Sequence, residues 1–221
     1  MKCRIAVESV WMRCFIIGNG KSLKASDLDP IMGQPSFACN RIGLIYPETK
    51  WRPTAYIHPE SLAPDIPYIQ ENIDLGIECY IGEYFQKGIT SGPNVKFIKD
   101  CHHHLLDFDS AELPDEWHLP QPCTFGGSVN VAMQLAVLQG FGELVLMGCD
   151  LEYKTRNRSH FSPAYEHGWE QSPFYASRNA FFGHVQALNY IRRKHLNVKV
   201  LNATRGGLLE LWPRMELKDA L

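Results

Sequence analysis

Arg13-Cys14-Phe15-Ile16-Ile17-Gly18-Asn19-Gly20-Lys21-Ser22-Leu23 joins an unbroken apolar run to a glycine turn, and the rest of the chain can be placed relative to it. Cys14 to Ile17 has the pattern of a strand buried on both faces of a parallel sheet. In Gly18-Asn19-Gly20 the backbone can adopt φ > 0 and come close to a ligand. Lys21 and Ser22 are expected to open a short helix closed by Asp29-Pro30. Strand, glycine turn and helix start together form an anion site, because free N–H groups and the helix dipole converge there. The spacing is neither a Walker A loop nor GxGxxG. The stretch alone therefore leaves two readings open: a nucleotide phosphate, or a tight turn with no ligand.

Outward from this unit, strands are expected at Ser36 to Ile42, Thr54 to His58, Glu78 to Ile81, Val95 to Ile98, Glu143 to Cys149 and Val198 to Leu201. Helices are expected within Pro59 to Asp74, over Val129 to Gln139, and over about Asn179 to His195. The last should turn Phe181, Val185, Leu188 and Ile191 to one side. Val129 to Gln139 is apolar almost all round and should be sandwiched against the sheet, with Gly140 as its stop. Lys99 to Pro122 reads as an irregular connection. Strands alternating with helical segments predict a Rossmann-like, doubly wound, mostly parallel α/β sheet with helices on both faces. The expectation is a single domain over residues 1–221 with a lid-like insertion at about 151–178.

The 221 residues are 45% hydrophobic and 21% charged, with formal net charge -2, so no basic surface argues for nucleic acid. No apolar run approaches the roughly 18 residues of a transmembrane helix. Met1 to Met12 carries Lys2, Arg4 and Glu8 and lacks a signal-peptide core. The seven cysteines are scattered with no CxxC pair, which suggests buried free thiols. The expected location is cytoplasmic. A homo-oligomer is compatible with the composition.

Ligands of open α/β sheets sit outside the carboxyl ends of the strands. Those positions here are Gly18-Asn19-Gly20, Asn40-Arg41, His58, Gly148-Cys149-Asp150 and Asn202-Ala203-Thr204. Asn both donates and accepts hydrogen bonds and suits phosphate, ribose or base contacts, although a lone Asn after a strand is more often a turn residue. Gly126-Gly127-Ser128 is a second glycine-rich helix start able to hold an anion, or a plain capped N-terminus. The polar excursion after Asp150 carries Tyr153, Arg156, Arg158, His160, Tyr165 and His167. A histidine there can take a proton from a substrate hydroxyl, and tyrosine or arginine can hold a phosphate leaving group. The alternative is a solvated loop. His102-His103-His104 has no ligand spacing and reads as a surface run rather than a metal site.

In order along the chain, Gly18 to Leu23, Cys39-Asn40-Arg41, Gly127-Ser128, Gly148-Cys149-Asp150 and Ser159-His160-Phe161 resemble bacterial lipooligosaccharide sialyltransferases. They are more similar still to bacterial and phage proteins grouped with archaeal 6-hydroxymethylpterin diphosphokinase-like proteins. To that second set belong also Trp51-Arg52-Pro53, His160 to Tyr165, Asn202 to Gly207 and Pro213-Arg214. The resemblance implies a nucleotide-sugar donor, such as CMP-sialic acid, held by Asn19, Asn40 and Ser128. It implies metal-independent transfer to a glycan acceptor, with a loop histidine, His160 or His167, as base and tyrosines on the leaving phosphate, Tyr153 matching one of them; Tyr165 of the same excursion is a further catalytic candidate. Gly18, Gly20, Ser22, Arg41, Gly127, Gly148 and Asp150 complete the expected binding set, with no cofactor. The sequence departs from the sialyltransferase pattern at Lys21, usually Pro, and at Phe125, usually Arg. The enzymatic alternative is Mg²⁺-dependent pyrophosphoryl transfer from ATP to a pterin-like alcohol, with Asp150 or other carboxylates on the metal. The other alternative is nucleotide binding without turnover.

Overall fold

The computed structural model describes residues 12–59, 65–99, 117–123, 127–153, 159–166 and 173–221. Its strands are β1 (Arg13–Ile17), β2 (Ser36–Cys39), β3 (Ala55–His58), β4 (Glu78–Gly82), β5 (Val95–Ile98), β6 (Glu143–Met147) and β7 (Lys199–Asn202). All seven pair in parallel, in the order β5-β4-β3-β2-β1-β6-β7. In the sheet centre Ile16 pairs with Phe37 on one side and Leu146 on the other.

Side chains alternate across this sheet into two cores. Cys14, Ile16, Phe37, Cys39, Leu144 and Leu146 lie under α3 (Ser128–Leu138) and α4 (Pro173–Arg193). Phe15, Ile17, Ala38, Val145 and Met147 lie against the opposite layer, which includes α1 (Ala25–Leu28) and α2 (Ile66–Asp74). A strand covered on both faces has no polar side to display, which is why these runs read as continuous apolar sequence. The five cysteines within the described residues are buried free thiols. No helix among the described residues is long and apolar enough to cross a membrane.

Three expectations need correction. The helix after the glycine turn begins at Ala25, not at Lys21. The chain first turns at Gly20, where the Leu23 N–H reaches the Gly20 carbonyl (3.1 Å), and the Lys24 N–H donates to the Asp27 carboxylate (3.0 Å). At four residues α1 has no dipole to speak of, so this turn offers no helix N-terminus to a ligand. The helix expected from about Asn179 begins earlier, at Pro173. Finally, α4 turns Gly183, His184, Ala187, Tyr190 and Ile191 inward and leaves Phe181 43% exposed. α4 packs against α3, and the small residues Gly183 and Ala187 are buried on the inward side of α4.

The chain leaves β1 towards α1 on one face and leaves β6 towards α4 on the other. The two loops diverge, and a crevice opens between β1 and β6 at the carboxyl edge.

Candidate functional site

A cavity occupies this crevice. It is lined by the turns after β1, β2 and β6, the start of α3, residues of the segment 159–165, and Asn179, Ala180 and His184 of α4. The two expected glycine-rich starts meet there: Gly18, Asn19 and Gly20 face the same space as Gly127 and Ser128. Gly126 lies outside the described residues.

The β1 and β6 turns are packed backbone to backbone. Gly18 N–H donates to the Met147 carbonyl and Gly20 N–H to the Gly148 carbonyl, both at 2.8 Å. A Cβ at Gly18 would stand 2.5 Å from the Gly148 carbonyl oxygen, and one at Gly20 would collide with the Asp150 carboxylate. Glycine is required here by the approach of these two turns, before any ligand is considered.

Two acceptor atoms on this wall are buried without a partner: Asp150 Oδ1 and Asn19 Oδ1. Asp150 is 3% exposed, and its other oxygen accepts from the Ser22 hydroxyl (2.9 Å) and the Ser22 N–H (3.4 Å). Burial raises its pKa above the usual carboxylate range, against the Ser22 hydrogen bonds that lower it. Asn19 donates through Nδ2 to the Cys39 carbonyl (2.9 Å), which fixes its amide so that Oδ1 is the unsatisfied end. Burial holds the neighbouring Cys149 thiol up at about 12, so it is no nucleophile.

Asn40 ends β2 in the left-handed region (φ 52°). Its N–H donates to the Ile57 carbonyl (3.1 Å), and its Oδ1 accepts from the Ser128 hydroxyl at 2.7 Å. That bond joins the sheet edge to the start of α3, where Gly127 (φ 81°) admits the chain. α3 has 11 residues, and Ser128 and Val129 in its first turn line the cavity. The first N–H groups of a helix have no partner within it and point out along its axis.

His160 and Tyr165 stack face to face (3.8 Å, 13°), and Tyr153 meets His160 edge-on (5.9 Å). All three line the cavity. The segment is tied to the glycine turn by a bridge between Gly20 and His160 and by the Phe161 N–H to the Asn19 carbonyl (3.1 Å).

Behind the cavity sits a buried ionic cluster. Arg41, 2% exposed, donates through Nε (2.8 Å) and Nη2 (2.7 Å) to Asp65 Oδ1 and through Nη1 to the Tyr165 carbonyl. Asp65 Oδ2 pairs with His58 Nε2 at 2.8 Å. Burial raises the Asp65 pKa, but the His58 and Arg41 bonds outweigh it and hold the carboxylate below its usual range.

Of the expected residues, Gly18, Asn19, Gly20, Asn40, Gly127, Ser128, Gly148, Asp150, Tyr153, His160 and Tyr165 share the cavity. Ser22 and Arg41 do not line it: one holds Asp150 and the other holds Asp65. His58 is fully buried in that cluster, and Asn202 and Thr204 brace the β6–β7 turns, Thr204 Oγ1 accepting from the Cys149 N–H. His167, Phe125 and His102-His103-His104 lie outside the described residues. Asp65, Asn179 and His184 escape a reading by motif. Asp65 sits in a stretch broken by prolines, and α4 shows only an amphipathic pattern. Lys21 pairs with Glu152 beside the mouth. Among the described residues no three His, Cys, Asp or Glu side chains cluster as a metal site.

No family model matches the sequence, and no curated protein matches it. Among solved structures the chain is similar to a MAf glycosyltransferase from Magnetospirillum magneticum AMB-1, with TM-score 0.56 and 13% identity. The match covers 94% of this chain and 34% of that one, so this chain spans about a third of that protein's length. At this identity the likeness concerns the fold.

Proposed function

We propose that the protein is a glycosyltransferase-like enzyme that takes a nucleotide-activated sugar, a CMP-sugar in the first instance. It transfers the sugar to an acceptor hydroxyl without a metal ion. One observation carries this reading: a cavity at the β1–β6 crevice combines the N-terminus of α3 with two buried, unpartnered acceptors, Asn19 Oδ1 and Asp150 Oδ1. Phosphate oxygens suit the positive end of the α3 dipole. Ribose or sugar hydroxyls suit the two acceptors, each of which costs about 1–3 kcal/mol while unsatisfied. The fold likeness to a glycosyltransferase supports the same class.

In the transfer, the bond from the anomeric carbon to the phosphate oxygen breaks and the nucleotide leaves with the electron pair. The acceptor oxygen bonds to that carbon and its proton passes to His160, whose ring is steadied by Tyr165. General-base help of this kind contributes about 10²–10⁴-fold. Tyr153 and Tyr165 are assigned to the leaving phosphate.

Thermal-shift titration with CMP, UDP, GDP and ATP, with and without Mg²⁺, followed by assay of CMP-sugar cleavage, tests the reading. Stabilisation by CMP and cleavage insensitive to chelator are expected, and His160→Ala should abolish cleavage while keeping CMP affinity. Stabilisation by ATP with Mg²⁺ alone would favour pyrophosphoryl transfer to a pterin-like alcohol, with the free Asp150 Oδ1 on the metal. Binding of none of these nucleotides overturns both.

A further inference from the structure

α4 carries a histidine that the scheme above does not use. His184 is 3% exposed and lines the cavity. Its Nδ1 accepts a hydrogen bond from Trp212 Nε1 at 3.2 Å, the two rings meeting at 75°. An indole N–H only donates, so Nδ1 must present its lone pair. The proton of the neutral ring then resides on Nε2, which has no hydrogen-bond partner among the described residues. A charged ring would set a second N–H against that of the indole, donor against donor. Burial agrees, pushing the His184 pKa down from 6.5 to about 4.

We propose that His184 is a neutral hydrogen-bond donor of the cavity, holding its Nε2–H against a phosphate or carboxylate oxygen of the bound ligand, and is not the base. The identity of the ligand rests on the nucleotide-sugar reading; the tautomer does not. With the first N–H groups of α3, His184 supplies donors from the helical layer, whereas Asn19 and Asp150 supply acceptors from the sheet edge. This division orients a ligand that has one anionic end and one hydroxyl-bearing end. A base on α4 would need a free lone pair at Nε2, which the indole's hold on Nδ1 rules out.

Long-range ¹H–¹⁵N NMR of the full chain, with His184 assigned by its loss in His184→Gln, tests the tautomer without any ligand. A pyridine-type Nδ1 and a pyrrole-type Nε2, unchanged from pH 7.5 to 5.5, are expected. Trp212→Phe should release Nδ1 and mix the tautomers. A protonated Nδ1 at pH 7 overturns the inference whatever the ligand.

The contact is tested by CMP affinity. The glutamine amide stands in for Nε2–H, so His184→Gln should bind within about threefold of wild type, and His184→Phe about tenfold or more weakly. Unchanged affinity in a folded His184→Phe overturns the contact. Should that variant not fold, the wild-type Nε2 resonance decides: it should move on saturation with CMP, and a stationary signal overturns the contact. If the wild type binds none of CMP, UDP, GDP and ATP, the nucleotide reading fails and takes the ligand contact with it. The spectrum still decides the tautomer.

Discussion

Asn40 sits in a conformation that most side chains avoid, and its amide ties β2 to α3. The left-handed region costs a Cβ-bearing residue roughly 1–2 kcal/mol, with Asn among the least penalised. Asn40→Ala should therefore lose about 1–2 kcal/mol in urea denaturation, from backbone cost and from the lost Ser128 partner. Asn40→Gly, which removes only the partner, should lose less. Equal losses would show that the Ser128 bond dominates. His184 makes a second prediction. Its folded pKa of about 4 lies below the ordinary 6.5, so between these values the unfolded chain binds a proton that the folded chain does not. The stabilising effect is complete above pH 6.5 and fades as the pH falls towards 4, amounting to ~3 kcal/mol over the window. Denaturation midpoints of the wild type should fall more steeply on acidification than those of His184→Gln. Parallel curves would remove His184 as the cause.

The Arg41–Asp65–His58 cluster links separate elements: the ends of β2 and β3, the start of α2, and the turn that carries Tyr165. Each member is nearly inaccessible, so removing one leaves a buried charge uncompensated. Arg41→Ala and Asp65→Ala should each cost about 3–5 kcal/mol, and the double variant clearly less than their sum. Additive losses would mean that the pair acts as two independent packing residues. Because Arg41 Nη1 also holds the Tyr165 carbonyl, Arg41→Ala should speed amide exchange in residues 159–166 relative to β2. Arg41, expected among the binding residues, is tied through this bond to the residue whose ring stacks on His160.

For the molecule as a unit, Asn19 Oδ1 and Asp150 Oδ1 are buried acceptors to which a ligand would supply partners, so binding should be visible in global stability. A ligand at 100 times its Kd adds about 2.7 kcal/mol, which for a chain of this size raises Tm by about 5–10 °C. Scanning calorimetry with CMP should show that rise, and Asp150→Asn should reduce it. An undiminished rise in the variant would place the ligand away from Asp150. The sequence by itself determined the layered α/β fold. Cys14 to Ile17 and Leu144 to Met147 lack a polar alternate, and that can hold only for strands covered on both faces. The glycine turns after β1 and β6, and the breaks at Pro59 and Gly140, were equally legible, because turn chemistry is local. Partnership was not. Ser22 and Asp150 are 128 positions apart, Arg41 and Tyr165 are 124 apart, and His184 meets Trp212 across 28. Periodicity records whether a residue is buried and not against what. Whether Arg41 faces a ligand or Asp65, and which face α4 turns inward, follow from strand order and helix rotation. Those are set by packing the whole chain at once, which lays α4 against α3 and brings His184 to the cavity.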